Sequence, residues 1–307
     1  MAKFVVAGIV QIETIVKVDR IPIQYMPIVC QPNTIFTNMG GDAYNESLAL
    51  KALGNDVDFL SMIGKNDMGR LTCISDTNYH LDISHVKPVL EETPTAVVLY
   101  DRERQQQIYE DIKDIHDAVY DLRLFQECIT DADTVILANA HFCIPLARAA
   151  KEAGKTLAVN FRGFCEEKEP HNEELLRLAD IVYLGDDNII DSSYDFVKKL
   201  ADTYGSQVVI LGQGAKGLII YSRKDDLIAH YHTVKTNEIV NTVGAGNSLF
   251  SCFLHFYIST GDAVRAVKNA LLFASYKIGF MGTSNGFLSE DRLEHWYRLI
   301  WREDERN

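Results

Sequence analysis

Residues 241–257, NTVGAGNSLFSCFLHFY, place a glycine turn directly before an apolar run. The apolar residues of that run recur at positions i, i+3, i+4 and i+7, namely Leu249, Cys252, Phe253 and Phe256. This spacing is typical of a helix with one buried face. We therefore expect a helix over residues 247–260 that ends at Gly261 and is preceded by the glycine turn.

The turn itself consists of Gly244, Ala245 and Gly246. Without bulky side chains, its backbone N–H groups can point outward, and the helix behind it adds a partial positive charge. The pattern indicates an anion hole, which could stabilise the charge on a phosphoryl group during transfer. A turn of small residues that only packs a helix on a strand is the alternative, and the turn alone does not decide between them.

The bulk composition is that of a globular protein. The chain has 307 residues, 47% of them hydrophobic and 24% charged, which fits one large α/β domain with an insertion or two modest domains. Its net charge of −13 argues against sequence-independent binding to nucleic acid or to an anionic membrane, because both need basic patches.

Cysteine spacing and the N-terminus bear on the compartment. Six cysteines occur without a CxxC pair, so neither a zinc site nor a disulfide framework is indicated, and we expect buried thiols in a reducing compartment. The N-terminal apolar run is too short for a signal peptide, and no stretch reaches the length of a membrane span. These features predict a cytoplasmic protein.

The order of predicted elements indicates an α/β core. An apolar strand at 4–10 is followed by a helix at 42–53 and a strand at 57–64, and strands then alternate with helices from 134 to 212. This rhythm is typical of βαβ units and a parallel sheet. Short alternating segments within 13–37 and 95–111 predict a small second sheet, residues 218–234 predict antiparallel strands at a sheet edge, and residues 295–307 predict a final amphipathic helix.

A second stretch, NMGGDAYNESLALKALGNDVDFLSMIGKNDMG at 38–69, adds a resemblance. Together with NTVGAGNSLFSCF it resembles the two signature regions of the ribokinase-like (PfkB) sugar and nucleoside kinases. These are a GG…N helix start with a following strand and G-x-D-x-x-G, and later D-T-x-G-A-G-D. The order of elements is also similar, so the resemblance covers nearly the whole chain.

The resemblance implies a fold and a set of ligands. The fold is a doubly wound, mostly parallel sheet flanked by helices, with a small β-sheet lid. We expect the core at 1–12, 38–93 and 119–307, and the lid at 13–37 and 94–118. The implied ligands are ATP, Mg²⁺ and a sugar or nucleoside, and the implied assembly is a homodimer that pairs through the lid sheet.

The resemblance also assigns candidate site residues, with the metal ligands left unassigned. The general-base position is Asn247, and the anion hole is Gly244, Ala245 and Gly246. Acceptor binding falls to Gln11, Glu13, Gly40, Gly41 and Asn45. Nucleotide binding falls to Asn188, Gly214 and Gly217. Each has a plainer alternative: Asn45 as a polar residue early in a helix, Glu13 as a solvated strand residue, and the two last glycines as turn formers.

Three acids of the family pattern are amides here: Asn66, Asn188 and Asn247. An amide at 247 cannot take a proton near neutral pH, and losing a general base typically reduces the rate by about 10² to 10⁴. A deliberately disabled kinase, a diverged pseudokinase and a slow kinase without a strong base remain open.

The functional prediction is an ATP-dependent kinase for a sugar or nucleoside hydroxyl, impaired because position 247 is Asn. Its alternative is an inactive pseudokinase that senses sugar or nucleotide. The acceptor is undecided between two sets of side chains. The aromatic set would suit a nucleobase and consists of Phe36, Tyr100 and Tyr109. The basic set would suit a sugar phosphate and consists of Arg102, Arg104 and Arg162.

Overall fold

The strands form two separate sheets in the computed structural model, which describes residues 2–65, 67, 79–103, 105–165 and 169–301. In chain order the strands are β1 (Lys3–Ala7), β2 (Gln11–Lys17), β3 (Ile35–Gly40), β4 (Asp56–Gly64), β5 (Val86–Leu90), β6 (Thr95–Tyr100), β7 (Gln106–Asp111), β8 (Thr134–Ala138), β9 (Thr156–Phe161), β10 (Ile181–Gly185), β11 (Val208–Gly212), β12 (Leu218–Ser222) and β13 (Leu227–Tyr231). The large sheet has nine strands in the order β13-β12-β11-β10-β9-β8-β1-β4-β5, and the small sheet has four in the order β3-β2-β6-β7.

The large sheet is mostly parallel. Strand β1 lies in the middle and pairs in parallel with β4 and β8, and its last four residues are fully buried. This fits a strand covered by helices on both faces. Within the large sheet as described, the antiparallel pairings are those of β12, with β11 on one side and β13 on the other. The predicted parallel core with an antiparallel edge is confirmed.

Helices pack on both faces of the large sheet. They are α1 (Asp42–Ala52), α2 (Leu122–Ile129), α3 (Cys143–Glu152), α4 (Glu169–Leu178), α5 (Tyr194–Tyr204), α6 (Ala245–Thr260), α7 (Ala263–Lys277) and α8 (Glu290–Trp301). One apolar cluster joins α1, α6 and α7 to one face, and a second joins α2 to α5 to the other. The predicted doubly wound class is confirmed, and none of the described helices is long and apolar enough to cross a bilayer.

The small sheet has its own apolar cluster of Ile15, Val98, Tyr100 and Val243. Because Val243 belongs to the glycine-turn stretch, the small sheet packs directly on the segment that precedes α6. The small sheet therefore lies over the candidate anion hole.

Two predictions about local structure need correction. Helix α8 begins at Glu290, ahead of the predicted start at 295, because Glu290 and Asp291 in its first turn favour a helix N-terminus. The prediction that the cysteines are buried is wrong for Cys30, which is exposed, and for Cys165, which is half-buried. Cys30 lies in the exposed segment between β2 and β3, where no core forms around it.

Candidate functional site

The glycine turn forms the mouth of helix α6. Gly244 precedes the helix in a left-handed conformation, with φ of 77°, and no side chain from the described part of the chain caps the turn. The hydrogen bond from Ser248 N to Gly244 O closes the first turn of the helix, so the N–H groups of Gly246 and Asn247 lie before that bond. A Cβ on Gly246 would lie 2.7 Å from the hydroxyl of Tyr183. A Cβ at Gly246 would therefore fit only if Tyr183 moved, and the anion hole at this turn stays a prediction.

A buried lysine supports this turn from behind. Lys277, the last residue of α7, is fully buried, and its Nζ donates to the carbonyl of Val243 and, at 2.9 Å, to the carbonyl of Gly282. Burial lowers the pKa of Lys277 to about 7, and only the charge of Glu13 opposes this shift. Lys277 thus ties the anion-hole turn to the segment after α7.

Asn247 is held on both sides of its side-chain amide. Its Nδ2 donates to Asp42 Oδ1 at 3.1 Å, and its Oδ1 accepts from Asn160 Nδ2 at 3.0 Å. Asn160 Nδ2 also donates to Glu46 Oε1 at 2.7 Å. Asp42 and Glu46 lie one turn apart at the start of α1, and Asn160 is near the end of β9. The base position is therefore fixed by two elements of the core, with a carboxylate on one side.

Further contacts connect the Asp42 carboxyl group to the small sheet. Arg162, which follows β9, donates from Nη1 to Asp42 Oδ1 at 3.3 Å, and its Nη2 lies 2.9 Å from Glu110 Oε1 on β7. We call these six residues the Asn247 network: Asp42, Glu46, Glu110, Asn160, Arg162 and Asn247. It connects the mouth of α6 to the lid strand β7.

A small cleft opens beside this network. It has a volume of about 60 Å³, enough for only a few water molecules, and is lined by Ile9, Gln11, Gly41, Asp42, Glu110, Asn139 and Arg162. Two of the predicted acceptor-binding residues, Gln11 and Gly41, line it together with Asp42. The cleft is therefore mostly polar, and the paired side chains of Arg162 and Glu110 form part of its wall.

The other predicted acceptor-binding residues lie close by and are buried. Glu13 is only 2% exposed and accepts from Thr283 Oγ1 at 2.9 Å, so it is not a solvated strand residue. Burial raises the pKa of Glu13, while Thr283, Arg162 and Lys277 oppose the shift. Gly40 pairs with Gln11 across β2 and β3.

Asn45, on α1, is buried as well, and its Oδ1 has no hydrogen-bond partner within the described residues. An unpaired buried acceptor costs about 1–3 kcal/mol. A donor from a bound ligand would satisfy this atom, which favours a binding role for Asn45.

The predicted nucleotide residues lie on loops after adjacent strands. Asn188 is exposed in the turn after β10, and Gly214 begins a short 3₁₀ turn after β11. Asp186 N donates to Gly212 O at 3.0 Å, so the two loops run side by side. Gly217 has φ of 108°, and a Cβ there would lie 1.9 Å from the carbonyl of Tyr231. Packing against β13 alone therefore requires this glycine.

Metal binding has less direct support. Within the described residues no group of three or more histidine, cysteine or carboxylate side chains could hold a metal ion. Asp186 and Asp187 lie together after β10, and burial and the charge of Asp187 raise the pKa of Asp186. Asn66, the amide at a position where the family pattern has an acid, lies outside the described residues.

Most of the side chains suggested for the acceptor make their contacts away from the cleft. Tyr100 packs in the core of the small sheet and its hydroxyl contacts Met281 Sδ at 3.7 Å, while Tyr109 is exposed. Arg102 pairs with the exposed Asp19, and Arg104 lies outside the described residues. Among the described members of both sets, only Arg162 lines the cleft.

The sequence analysis missed four members of the Asn247 network: Asp42, Glu46, Glu110 and Asn160. Two signals were present. Asp42 directly follows Gly40 and Gly41, and Glu46 is a charged residue one turn later in a helix whose first nine residues are all buried. Ionisable side chains on the core-facing part of a helix are rare unless paired, so two acids one turn apart at this position indicate a paired, buried site.

Comparison with known proteins points to one family. The model of the pfkB family carbohydrate kinases matches residues 1–290. A deoxyribokinase of Salmonella typhi is 29% identical over 110 residues, and the match spans 35% of this chain and only 35% of that relative's own length. An ATP-dependent ribose-1-phosphate kinase of Halopiger xanaduensis is 24% identical over 274 residues, covering 88% of this chain and 90% of the relative.

A solved structure agrees with the fold. The Arabidopsis thaliana ribokinase complexed with ribose and ATP superposes with a TM-score of 0.76 at 17% identity, covering 96% of this chain and 98% of that chain. At this identity the likeness concerns the fold, including the large sheet and the small separate one.

Proposed function

The chain belongs to the pfkB family of carbohydrate kinases, and from this premise we propose that it transfers the γ-phosphate of ATP to a hydroxyl of a sugar or nucleoside. The observation that carries the proposal is the hydrogen-bonded link between the mouth of α6 and the polar cleft, through Asn247 and Asp42. A phosphate bound at the mouth and a hydroxyl bound in the cleft would be neighbours. Phosphoryl transfer depends mainly on such positioning and on electrostatic stabilisation.

The residues around the mouth fit ATP with Mg²⁺. The N–H groups of Gly246 and Asn247 would hold the transferred phosphoryl group, and the loops after β10 and β11 would hold the rest of the nucleotide. Mg²⁺ usually binds through one or two carboxylates and the substrate's phosphates, so Asp186 and Asp187 are sufficient protein partners. When bound, the ion would neutralise charge on the phosphates.

The charge of the cleft favours an acceptor without a phosphate of its own. Asp42 and Glu110 line the cleft with carboxyl groups, and Arg162, the basic side chain that lines it among the described residues, is already paired with both. A phosphorylated sugar would have to displace these pairs and approach the acids. We therefore favour a neutral sugar or nucleoside, with Gln11, Glu13 and Asn45 binding its hydroxyl groups.

The test is ADP release with a panel of free sugars, nucleosides and sugar phosphates, for the wild type and for Gly246→Ala. We expect turnover with an unphosphorylated acceptor. In Gly246→Ala the rate of ADP release should fall by at least about 10², because the added Cβ would collide with Tyr183 and displace the N–H groups that bind the phosphoryl group. Ser259→Ala, at the far end of the same helix, is the matched control and should retain activity.

Two results would contradict the kinase proposal. If no acceptor gives ADP while sugars and ATP still raise the melting temperature, the chain is a binding or sensing module, the pseudokinase alternative. If Gly246→Ala turns over as fast as the wild type, the phosphate is not held at the mouth of α6.

We also propose that two copies pair through the small sheet. Its edge strands are β3 and β7, and large apolar side chains are exposed on the segment leading to β3 and on β3 itself, namely Ile23, Tyr25, Met26, Ile28, Val29 and Ile35. Exposed strand edges and apolar patches of this kind favour association. Sedimentation should give a dimer that dissociates in Ile28→Asp and persists in the control Val119→Asp, whereas a monomeric wild type at micromolar concentration would rule the pairing out.

A further inference from the structure

The Asn247 network contains a carboxylate where the base position lacks one. Asn247 cannot accept a proton, yet Asp42 Oδ1 lies 3.1 Å from its Nδ2. Asp42 also lines the cleft, whereas the buried Glu46 of the same helix does not. A side chain that touches both the base position and the cleft is well placed to contact a bound hydroxyl.

We propose that Asp42 is the proton acceptor for the hydroxyl that attacks the phosphate, in place of the side chain at 247. The proposal rests on the proposed kinase function and assigns a catalytic residue within that site. Asn247 then acts as a positioning residue, which donates to Asp42 and orients its carboxylate.

The amide at 247 fits this role better than an acid would. If position 247 carried a carboxylate, two acidic groups would lie about 3 Å apart, and such pairs share one proton instead of both ionising. The amide removes that repulsion and adds a hydrogen bond to the ionised form of Asp42. Arg162 adds a charged partner at 3.3 Å, so two donors fix the orientation of the Asp42 side chain.

Neither neighbouring acid is as well placed. Glu13 accepts from Thr283, whereas the Asn247 side chain is hydrogen-bonded to Asp42 and Asn160. Glu46 is entirely buried, with one oxygen taken by Asn160, and burial together with Asp42 raises its pKa. Glu46 does not line the cleft, so Asp42 is the acid of this pair that an acceptor hydroxyl in the cleft can reach.

In the reaction the acceptor O–H bond breaks and its proton goes to Asp42. The acceptor oxygen forms the new bond to the γ-phosphorus, and the bond from that phosphorus to the bridging oxygen breaks, so that ADP leaves with the electron pair. Asp42 then releases the proton to solvent. The only co-reactant is ATP, which the proposed function already supplies.

The test measures steady-state kinetics, pH profiles and nucleotide-induced melting shifts for Asp42→Asn, Asn247→Asp and the double variant. Asp42→Asn should lower kcat by about 10² to 10⁴ and keep the melting shift produced by ADP, because its side-chain oxygen can still accept from Arg162 and Asn247. The acidic limb of the wild-type kcat profile should disappear in this variant. The double variant, which moves the acid to 247, should recover to within about tenfold of the wild type.

Asn247→Asp alone should gain little, because its two acids would share a proton. Asp58→Asn, an acid on β4 that pairs with Lys3, is the matched control and should leave kcat unchanged. The proposal is overturned if Asp42→Asn turns over like the wild type, or if Asn247→Asp alone gains about 10³. A wild type that releases no ADP with any acceptor would overturn both the kinase function and the role of Asp42, whereas an active Asp42→Asn overturns only the latter.

Discussion

At the scale of single residues, the buried side chain of Lys277 places an ionisable group inside the candidate site. A fully buried lysine is uncommon in a core unless it is paired, and here two backbone carbonyl groups accept from the side-chain nitrogen. Its Nζ lies next to the predicted anion-hole turn, because it donates to the carbonyl of Val243. When protonated, it would attract a phosphate bound at the turn. Below its lowered pKa, Lys277 would therefore assist phosphate binding and at the same time destabilise the fold.

The burial of Lys277 predicts how the free energy of unfolding changes with pH. The pKa of Lys277 is lowered to about 7 by burial, whereas the unfolded chain holds the proton up to its ordinary value, so between these values the unfolded state binds more protons. The free energy of unfolding should then rise with pH above about 7, by at most about 1.4 kcal/mol per unit. Lys277→Met should lack this rise.

Urea unfolding of both proteins between pH 6 and 10 measures the difference, with the exposed Lys199→Met as a control for the loss of one positive charge. A wild type and a Lys277→Met protein whose stabilities run parallel across this range would contradict the lowered pKa.

The residue scale also shows what the sequence could not supply. Asn247 could be placed at the base position from its turn, but its hydrogen-bond partners could not, because Asp42 and Asn160 are distant in sequence and meet only through the packing of α1 and β9. Whether an amide at 247 impairs turnover depends on those partners, which is why the sequence left three interpretations open.

At the scale of elements, hydrophobic periodicity predicted most of the architecture. The turn and helix around 241–261 were predicted closely: α6 begins at Ala245 and ends before Gly261, because left-handed glycines close both ends. The alternation from β8 to β11 and the antiparallel edge were also predicted. Boundaries were less accurate where the first residues of a helix decide them, as at α8, which begins at Glu290 and not at the predicted 295.

The elements also explain why the site lies where it does. Ligands of open α/β sheets bind outside the carboxyl ends of the strands, and Arg162 and Asp186 follow the ends of β9 and β10. Helix α6 adds its N-terminus at the same place, since Gly246 lies against Tyr183 of β10. The sequence predicted each of these loops separately. That they lie next to one another follows from the order of the strands in the sheet, which the sequence did not give.

At the scale of the whole molecule, an ion pair joins the small sheet to the core beside the cleft. Arg162 belongs to the core and Glu110 to β7 of the small sheet, and both line the cleft of about 60 Å³. A sugar needs more room than this, so under the proposed function we expect the two side chains to separate when an acceptor binds, as lids do in many enzymes. The domain bounds predicted from the sequence stay a prediction, although the two sheets themselves are confirmed.

The central claim is that the mouth of α6 holds the transferred phosphate beside an acceptor that contacts Asp42. A crystal structure with a non-hydrolysable ATP analogue, Mg²⁺ and the best acceptor of the panel tests it most directly. We predict the terminal phosphate within hydrogen-bond distance of the N–H groups of Gly246 and Asn247, an acceptor hydroxyl within reach of Asp42 Oδ, and Arg162 parted from Glu110. A terminal phosphate bound elsewhere, or a mouth of α6 blocked by side chains while the nucleotide is bound, would contradict the account.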